Sequence, residues 1–293
     1  MNKITESEED LISNYFSSNL PILLSSPHSG RVYPDEFLKL TDLKVNALRV
    51  NEDMFVDELF NCSSDLNLEM LKTETPRIVI DLNRNRYDID KSMLEINDQE
   101  YTELNSSKYS KSGFGLISKM TSNGEYIYSK PLKISEINER VNKYYTTWHN
   151  KLDCLTNYMK NSFTNSVLLD CHSMPSSTLT NSLHQNLDII LGDNSGKSSD
   201  QETTNFFAKK LEEQGFKVKV NYIFSGGYIT CKYGDPNSGL NAIQIEVNKA
   251  IYMNEKKFTM NENFIDVKTK LVSAINELLH FIKNNNNLSK AAE

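Results

Sequence analysis

Two histidines end apolar runs beside small turn residues, His28 in PHSG and His172 in DCHSM, in a chain that holds only five. Neutral imidazole is a good zinc ligand, and a catalytic zinc commonly takes two histidines, one carboxylate and a water. A strand-end histidine can equally cap a loop, so the pair needs an acid beside it. The segment VNEDMFVDELF supplies two, Glu52 and Asp53. The spacing predicts a helix here, with Met54, Val56 or Phe55, Leu59 and Phe60 facing inward. At its first turn these acids also suit the helix dipole without any metal. Asp57 and Glu58, one turn on, read as solvated. His149 and His280 on predicted helices, and His184 on a predicted loop, read as structural or surface residues.

Further polar residues extend the set. In AIQIEVN, Ile243, Ile245 and Val247 alternate with Gln244, Glu246 and Asn248, the period-two pattern of a strand. Glu246 then either lies on a wet face or projects into a crevice as a general base. Arg84 and Arg86 follow an apolar run, and an arginine there either is solvated or binds a carboxylate through two parallel hydrogen bonds. Asp81-Leu82-Asn83-Arg84 is the more compact unit, which favours Arg84 over Arg86 for a fixed role. Gly226-Gly227 before Tyr228 either make an ordinary turn or let the backbone approach a ligand closely. Gly113 and Gly115 have the wrong spacing for a phosphate-binding loop.

Buried strands must carry these residues. PILLSS (21–26), RIVIDL (77–82), SVLLDC (166–171), LDIILG (187–192) and AIQIEV (242–247) are near-continuous apolar runs, as fully buried strands are. A helix is predicted over 134–159, with one stripe formed by Ile134, Ile137, Val141, Tyr144, Trp148, Leu152, Leu155 and Met159. Residues 199–214 and 263–283 also read as helices. The stretch 85–130 is polar, and the NNNNLSKAAE tail (284–293) is expected to fray. Strands alternating with helices predict an α/β sandwich with a mostly parallel or mixed sheet. Four apolar runs end in polar clusters at His28, Asn83, His172 and Asp193, and ligands of open α/β sheets bind beyond strand carboxyl ends. No repeat or Gly/Ser/Pro-rich linker divides the chain, so a single domain over 1–293 is expected.

A net charge of −7 with no concentrated Lys/Arg run argues against a nucleic-acid binder. No stretch approaches 18 consecutive apolar residues, so no membrane span is expected. The opening MNKITESEEDLISNYF lacks the pattern of a secretory signal. Cys62, Cys154, Cys171 and Cys231 are far apart, without a C-x-x-C pair. A reducing cytoplasm fits these features.

Taken together and in order, PHSGRVYP, NED-x-x-VDELF, RIVIDLNR, DCHSMPS, DIILGD, FSGGYITCKYG-x-P and AIQIEVNKAIYMNE resemble the N-formylglutamate amidohydrolase family over about residues 20–258. That family is similar to the zinc carboxypeptidase and aspartoacylase-like hydrolases. The resemblance implies a three-layer α/β/α domain with a central mixed sheet and one Zn2+ per chain. It implies His28 and His172 as ligands, with Asp53 as the acid and Glu52 as the alternative. The related carboxypeptidases use His-x-x-Glu, but here Arg31 stands three residues after His28, so the acid must come from elsewhere. It implies Glu246 as general base, Asn83 and Arg84 on a substrate carboxylate, and Arg31 or Arg86 as the oxyanion's cation. Ser173, Gly226, Gly227 and Tyr228 complete the expected substrate contacts. The implied reaction is hydrolysis of a small acidic N-acyl amino acid, N-formyl-L-glutamate giving formate and L-glutamate. Members serving histidine degradation carry GGHIT and DAHSI where this chain has GGYIT and DCHSM. Another N-acyl amino acid or short peptide therefore stays open as substrate, as does a silent binding protein. No pattern bears on the oligomeric state.

Overall fold

The computed structural model describes residues 8–17, 19–95, 104–180 and 186–292, with side chains from 12 to 286. His184 lies outside the described residues, as do 96–103 of the long polar stretch. The chain divides into two compact units. The first comprises Met1–Ser26, Phe55–Leu71 and Lys151–Glu293, and the second Pro27–Met54 and Lys72–Asn150.

The first unit holds the strands β1 (Ile22–Ser26), β3 (Ser166–Met174), β4 (Ile189–Gly192), β5 (Val218–Val220) and β6 (Leu240–Asn248), with β2 (Met70–Lys72) at the sheet edge. Their order is β2-β1-β3-β6-β4-β5. β1 pairs parallel with β3, β3 with β6, and β4 with β5, while β4 runs antiparallel to β6. This is a mixed, mostly parallel sheet flanked by helices, as the alternating pattern predicts. All nine residues of β3 and all nine of β6 are buried. No face of β6 is wet, so its polar members are not a solvated edge. Leu24, Leu168, Leu169, Ile243 and Ile245 are wholly buried, each stabilising the sheet by roughly 1.5–3 kcal/mol. The helices Gln201–Glu213 and Phe264–Ala292 belong to this unit, and the second continues past the Asn run where sequence periodicity ends it.

Three local expectations are corrected. RIVIDL is not a strand but a series of turns. Side chains on the helical stretch 134–150 take carbonyls of this run and of the residues just after it: Arg140 Nη1 donates to Val79 O at 3.1 Å, His149 Nε2 to Leu82 O at 3.0 Å and the Tyr145 hydroxyl to Arg84 O at 2.9 Å. Side-chain donors replace a ladder, so an apolar run can be buried without strand pairing. Glu52 and Asp53 do not open a helix. They follow a 3-10 turn (Arg49–Asn51), and Phe55 takes a left-handed conformation (φ 63°) before the helix Val56–Leu59 begins. Asp193 does not extend the row of strand ends, because β4 runs against β6. Its carboxylate accepts from Gly196 N–H and Asn221 Nδ2 and closes a turn.

The predicted helix over 134–159 forms, with a π-helical turn at Val141–Thr146. Tyr145 is buried there and Tyr144 only half so, a one-residue change in the predicted stripe. Among the described residues, no helix is long and apolar enough to cross a membrane.

Candidate functional site

In the second unit the site is built around His28. Only Pro27 separates it from Ser26, the last residue of β1, and the turn that follows is pinned by Val32 N–H donating to Glu74 O at 2.9 Å. Gly30 sits so close to this neighbour that an added Cβ would stand 2.4 Å from the Thr75 carbonyl oxygen. Gly30→Ala is therefore expected to cost about 1–3 kcal/mol, read as a lower midpoint in thermal unfolding. An unchanged midpoint would show that the turn is not held as described.

Asp53 N–H donates to His28 O at 3.1 Å, tying the two candidate ligands through their backbones. Their side chains also face each other, with His28 Nδ1 3.4 Å from Asp53 Oδ2. On the opposite edge of the ring, His28 Nε2 donates to Asp81 Oδ1 at 2.7 Å. Asp81 is wholly enclosed. Burial pushes its carboxyl up, but Arg77, His28 and Arg84 outweigh that and hold it well below the usual carboxylate range. Arg77 Nη2 donates to Asp81 Oδ2 at 2.6 Å. The Asp81 Oδ1 atom also accepts from Asn83 N–H at 2.9 Å.

Glu52, the alternative ligand, is engaged elsewhere. Tyr33 OH donates to its Oε1 at 2.6 Å and Arg49 Nε to its Oε2 at 3.3 Å. Burial pushes its carboxyl up, against the lowering effect of Tyr33 and Arg49. Asp53 is thus the acid that faces His28.

Arg84 is half-buried and preset. Its Nε donates to Phe114 O and its Nη1 to Asn83 O, both at 2.9 Å, while its guanidinium lies 4.7 Å from the Tyr109 ring centroid. Arg86 is exposed and lies over Tyr87, 5.1 Å from the ring centroid. Arg31 is half-buried, with Nε 3.4 Å from Ser29 O.

In the first unit the parallel register sets His172 beside Glu246 and Asp170 beside Gln244. Residues two apart share a face of the sheet, so these four buried side chains form one polar patch on an otherwise apolar pair of strands. His172 Nε2 donates to Asp170 Oδ2 at 2.9 Å, and Ser25 Oγ to Asp170 Oδ1 at 3.2 Å. Gln244 Nε2 donates to Glu246 Oε1 at 2.7 Å, and Gln244 Oε1 accepts from Gly227 N–H. The Gly226-Gly227 turn is thereby linked to Glu246 through one amide. Gly226 holds φ 124°, a conformation that glycine readily adopts. Tyr228 opens the helix Tyr228–Tyr233 and is half-buried. Ser173 is buried too, but consecutive strand residues face opposite ways, so it does not share the face of His172.

His28 and Asp53 in the second unit and His172 in the first are all buried, and by type they are two imidazoles and a carboxylate, the kind of donor that binds a metal ion. Sequence reasoning missed Arg77 and the buried acids Asp81 and Asp170. The signal that could have found the first two is the four-residue spacing of Arg77 and Asp81, hidden by reading 77–82 as a strand.

A sequence model of the N-formylglutamate amidohydrolase family matches residues 20–253. The N-formylglutamate deformylase of Pseudomonas putida is 28% identical over 269 residues, 87% of this chain and 90% of that protein. That of Pseudomonas aeruginosa is 26% identical over 256 residues, 84% and 87% of the two chains. The crystal structure of N-formylglutamate amidohydrolase from Ralstonia eutropha is similar with a TM-score of 0.83 and 28% identity, covering 91% of this chain and 95% of that one.

Proposed function

Since the chain belongs to the N-formylglutamate amidohydrolase family, we propose that it hydrolyses the amide bond of N-formyl-L-glutamate to formate and L-glutamate, with one zinc ion held by His28, Asp53 and His172. One observation carries the metal assignment. Each histidine has a buried carboxylate at Nε2, Asp81 for His28 and Asp170 for His172. Such partners keep the proton on Nε2 and leave the Nδ1 lone pair as ligand. The separation of His28 Nδ1 and Asp53 Oδ2, 3.4 Å, supports this further. Two ligands about 2.1 Å from a single tetrahedral ion stand roughly 3.4 Å apart. Two acceptors facing each other at that distance repel unless a cation lies between them.

When bound, zinc lowers the pKa of a coordinated water toward about 7 and polarises the carbonyl. Glu246 takes the proton from the attacking water as the C–O bond forms and the carbonyl becomes a tetrahedral oxyanion, then delivers that proton to the nitrogen, and the C–N bond breaks as the carbonyl re-forms. Gln244 holds the Glu246 carboxylate for this transfer and ties it to the Gly226-Gly227 turn. Arg84 pairs with a substrate carboxylate. Two of its nitrogens are already committed to carbonyls, so little side-chain entropy is lost on binding. Arg31, three residues after His28, is the better cation for the oxyanion, because Arg86 lies exposed against Tyr87. Tyr228, next to the Gly226-Gly227 turn that Gln244 ties to Glu246, is the residue expected to influence which substrate is accepted. The four cysteines, far apart in sequence and without a C-x-x-C pair, fit a reducing cytoplasm.

The test is formate release from N-formyl-L-glutamate by purified protein, alongside metal analysis and a panel of other N-acyl amino acids. Stoichiometric zinc with formate release is the expected result. Preference for a different acyl group would move the substrate while keeping the mechanism, and protein without metal or turnover would overturn the proposal.

A further inference from the structure

Arg77 has no part in the steps above, yet its guanidinium addresses both acids that flank His28. Nη2 donates to Asp81 Oδ2 at 2.6 Å, and Nη1 lies 3.8 Å from Asp53 Oδ1. The other oxygen of each acid faces the imidazole: Asp81 Oδ1 is 2.7 Å from Nε2, and Asp53 Oδ2 is 3.4 Å from Nδ1. One planar cation thus takes the outer oxygens, and the inner oxygens are left to the two edges of one ring. Both acids are buried, whereas the Arg77 side chain is 23% exposed, so the guanidinium is also their link toward solvent.

We propose that Arg77 is a positioning residue for the metal ligands, selecting which oxygen of Asp81 and which of Asp53 is presented to His28. The inference rests on the reading of His28 and Asp53 as ligands. Arginine suits the task because its rigid fork reaches two carboxylates at defined angles. A lysine ammonium is a single point charge on a flexible stem. With the fork removed, Asp81 Oδ2 loses its partner and only the Asn83 N–H and His28 contacts on Oδ1 orient the carboxylate, so the contact that fixes the ring's tautomer is weakened.

Simple electrostatics predicts the opposite sign. A bystander cation beside a metal site repels the metal, so removing its charge should tighten binding. The experiment uses the full chain stripped of metal, with zinc alone as probe, titrated in competition with a chromophoric chelator. Arg77→Met is expected to weaken zinc binding by about 10–100-fold, the range for lost outer-shell partners. Arg77→Lys is expected to recover part of that loss, and the cobalt-loaded Lys variant to show a shifted visible absorption. Zinc affinity of Arg77→Met equal to the parent's, or tighter, overturns the inference. If the Met variant does not fold, parental zinc affinity and an unshifted cobalt spectrum in Arg77→Lys overturn it instead. A parent chain that binds no zinc fails the metal reading itself, and is distinguishable because it appears before any variant is made.

Discussion

Glu246→Gln reduces kcat for formate release by about 10^2–10^4-fold, the usual contribution of a positioned proton-transfer group, while zinc stays at one per chain. The expectation follows from where β6 sets this carboxylate. Glu246 is the register partner of His172 and accepts from Gln244 Nε2 at 2.7 Å, inside a strand buried on both faces. A buried carboxylate in a sheet core is costly unless it is hydrogen-bonded or serves a purpose. The glutamine keeps the shape and loses the base, so the fold should tolerate it. Metal analysis of the same sample decides between roles: loss of zinc along with activity would make Glu246 a ligand and refute its assignment as base. A matching result for Gln244→Ala, with kcat lowered but less severely, would confirm that the amide acts through Glu246.

His172→Ala is expected to remove the metal and to lower kcat/KM by about 10^3-fold or more, as several kcal/mol of transition-state stabilisation disappear with it. It carries a second cost. Asp170 is wholly buried and its Oδ2 accepts from His172 Nε2. Deleting the imidazole leaves a buried carboxylate short of a donor, a loss of about 1–3 kcal/mol in stability. Thermal unfolding and metal content therefore both change, whereas Glu246→Gln moves neither. Asp170→Asn separates the two effects, because it keeps the ligand and weakens zinc only in the 10–100-fold range. Full zinc occupancy in His172→Ala would remove that histidine from the centre. Chelation of the parent enzyme should abolish formate release, with added zinc restoring it.

Much of this was readable before any coordinates. The strands β1, β3, β4 and β6 form where apolar runs longer than four residues stand between turn residues. The two histidines, Glu246 and Arg84 stand at the ends or alternate positions of apolar runs, whereas Asp53 reads only as one of two adjacent acids at the start of a predicted helix. The residues read less well are those whose role depends on partners far away in sequence. RIVIDL has the composition of a strand, but its Val79 and Leu82 carbonyls are claimed by Arg140 and His149, more than 60 residues later. Glu52 and Asp53 are adjacent acids with similar local claims, and only Tyr33 and Arg49 on one side and His28 on the other tell them apart.

The amino-acid order by itself determined the family and the mixed α/β architecture, and it singled out His28, His172 and the Glu52-Asp53 pair as candidate donors. These depend on side-chain chemistry, on periodicity and on short motifs, all of which are local. The tertiary structure alone decided that Ser173 and His172 face opposite sides of β3, that Arg86 is exposed while Arg77 is engaged, and that each histidine has an acid at Nε2. Those outcomes turn on sheet register and on hydrogen bonds between distant segments, which a burial pattern along one chain does not encode.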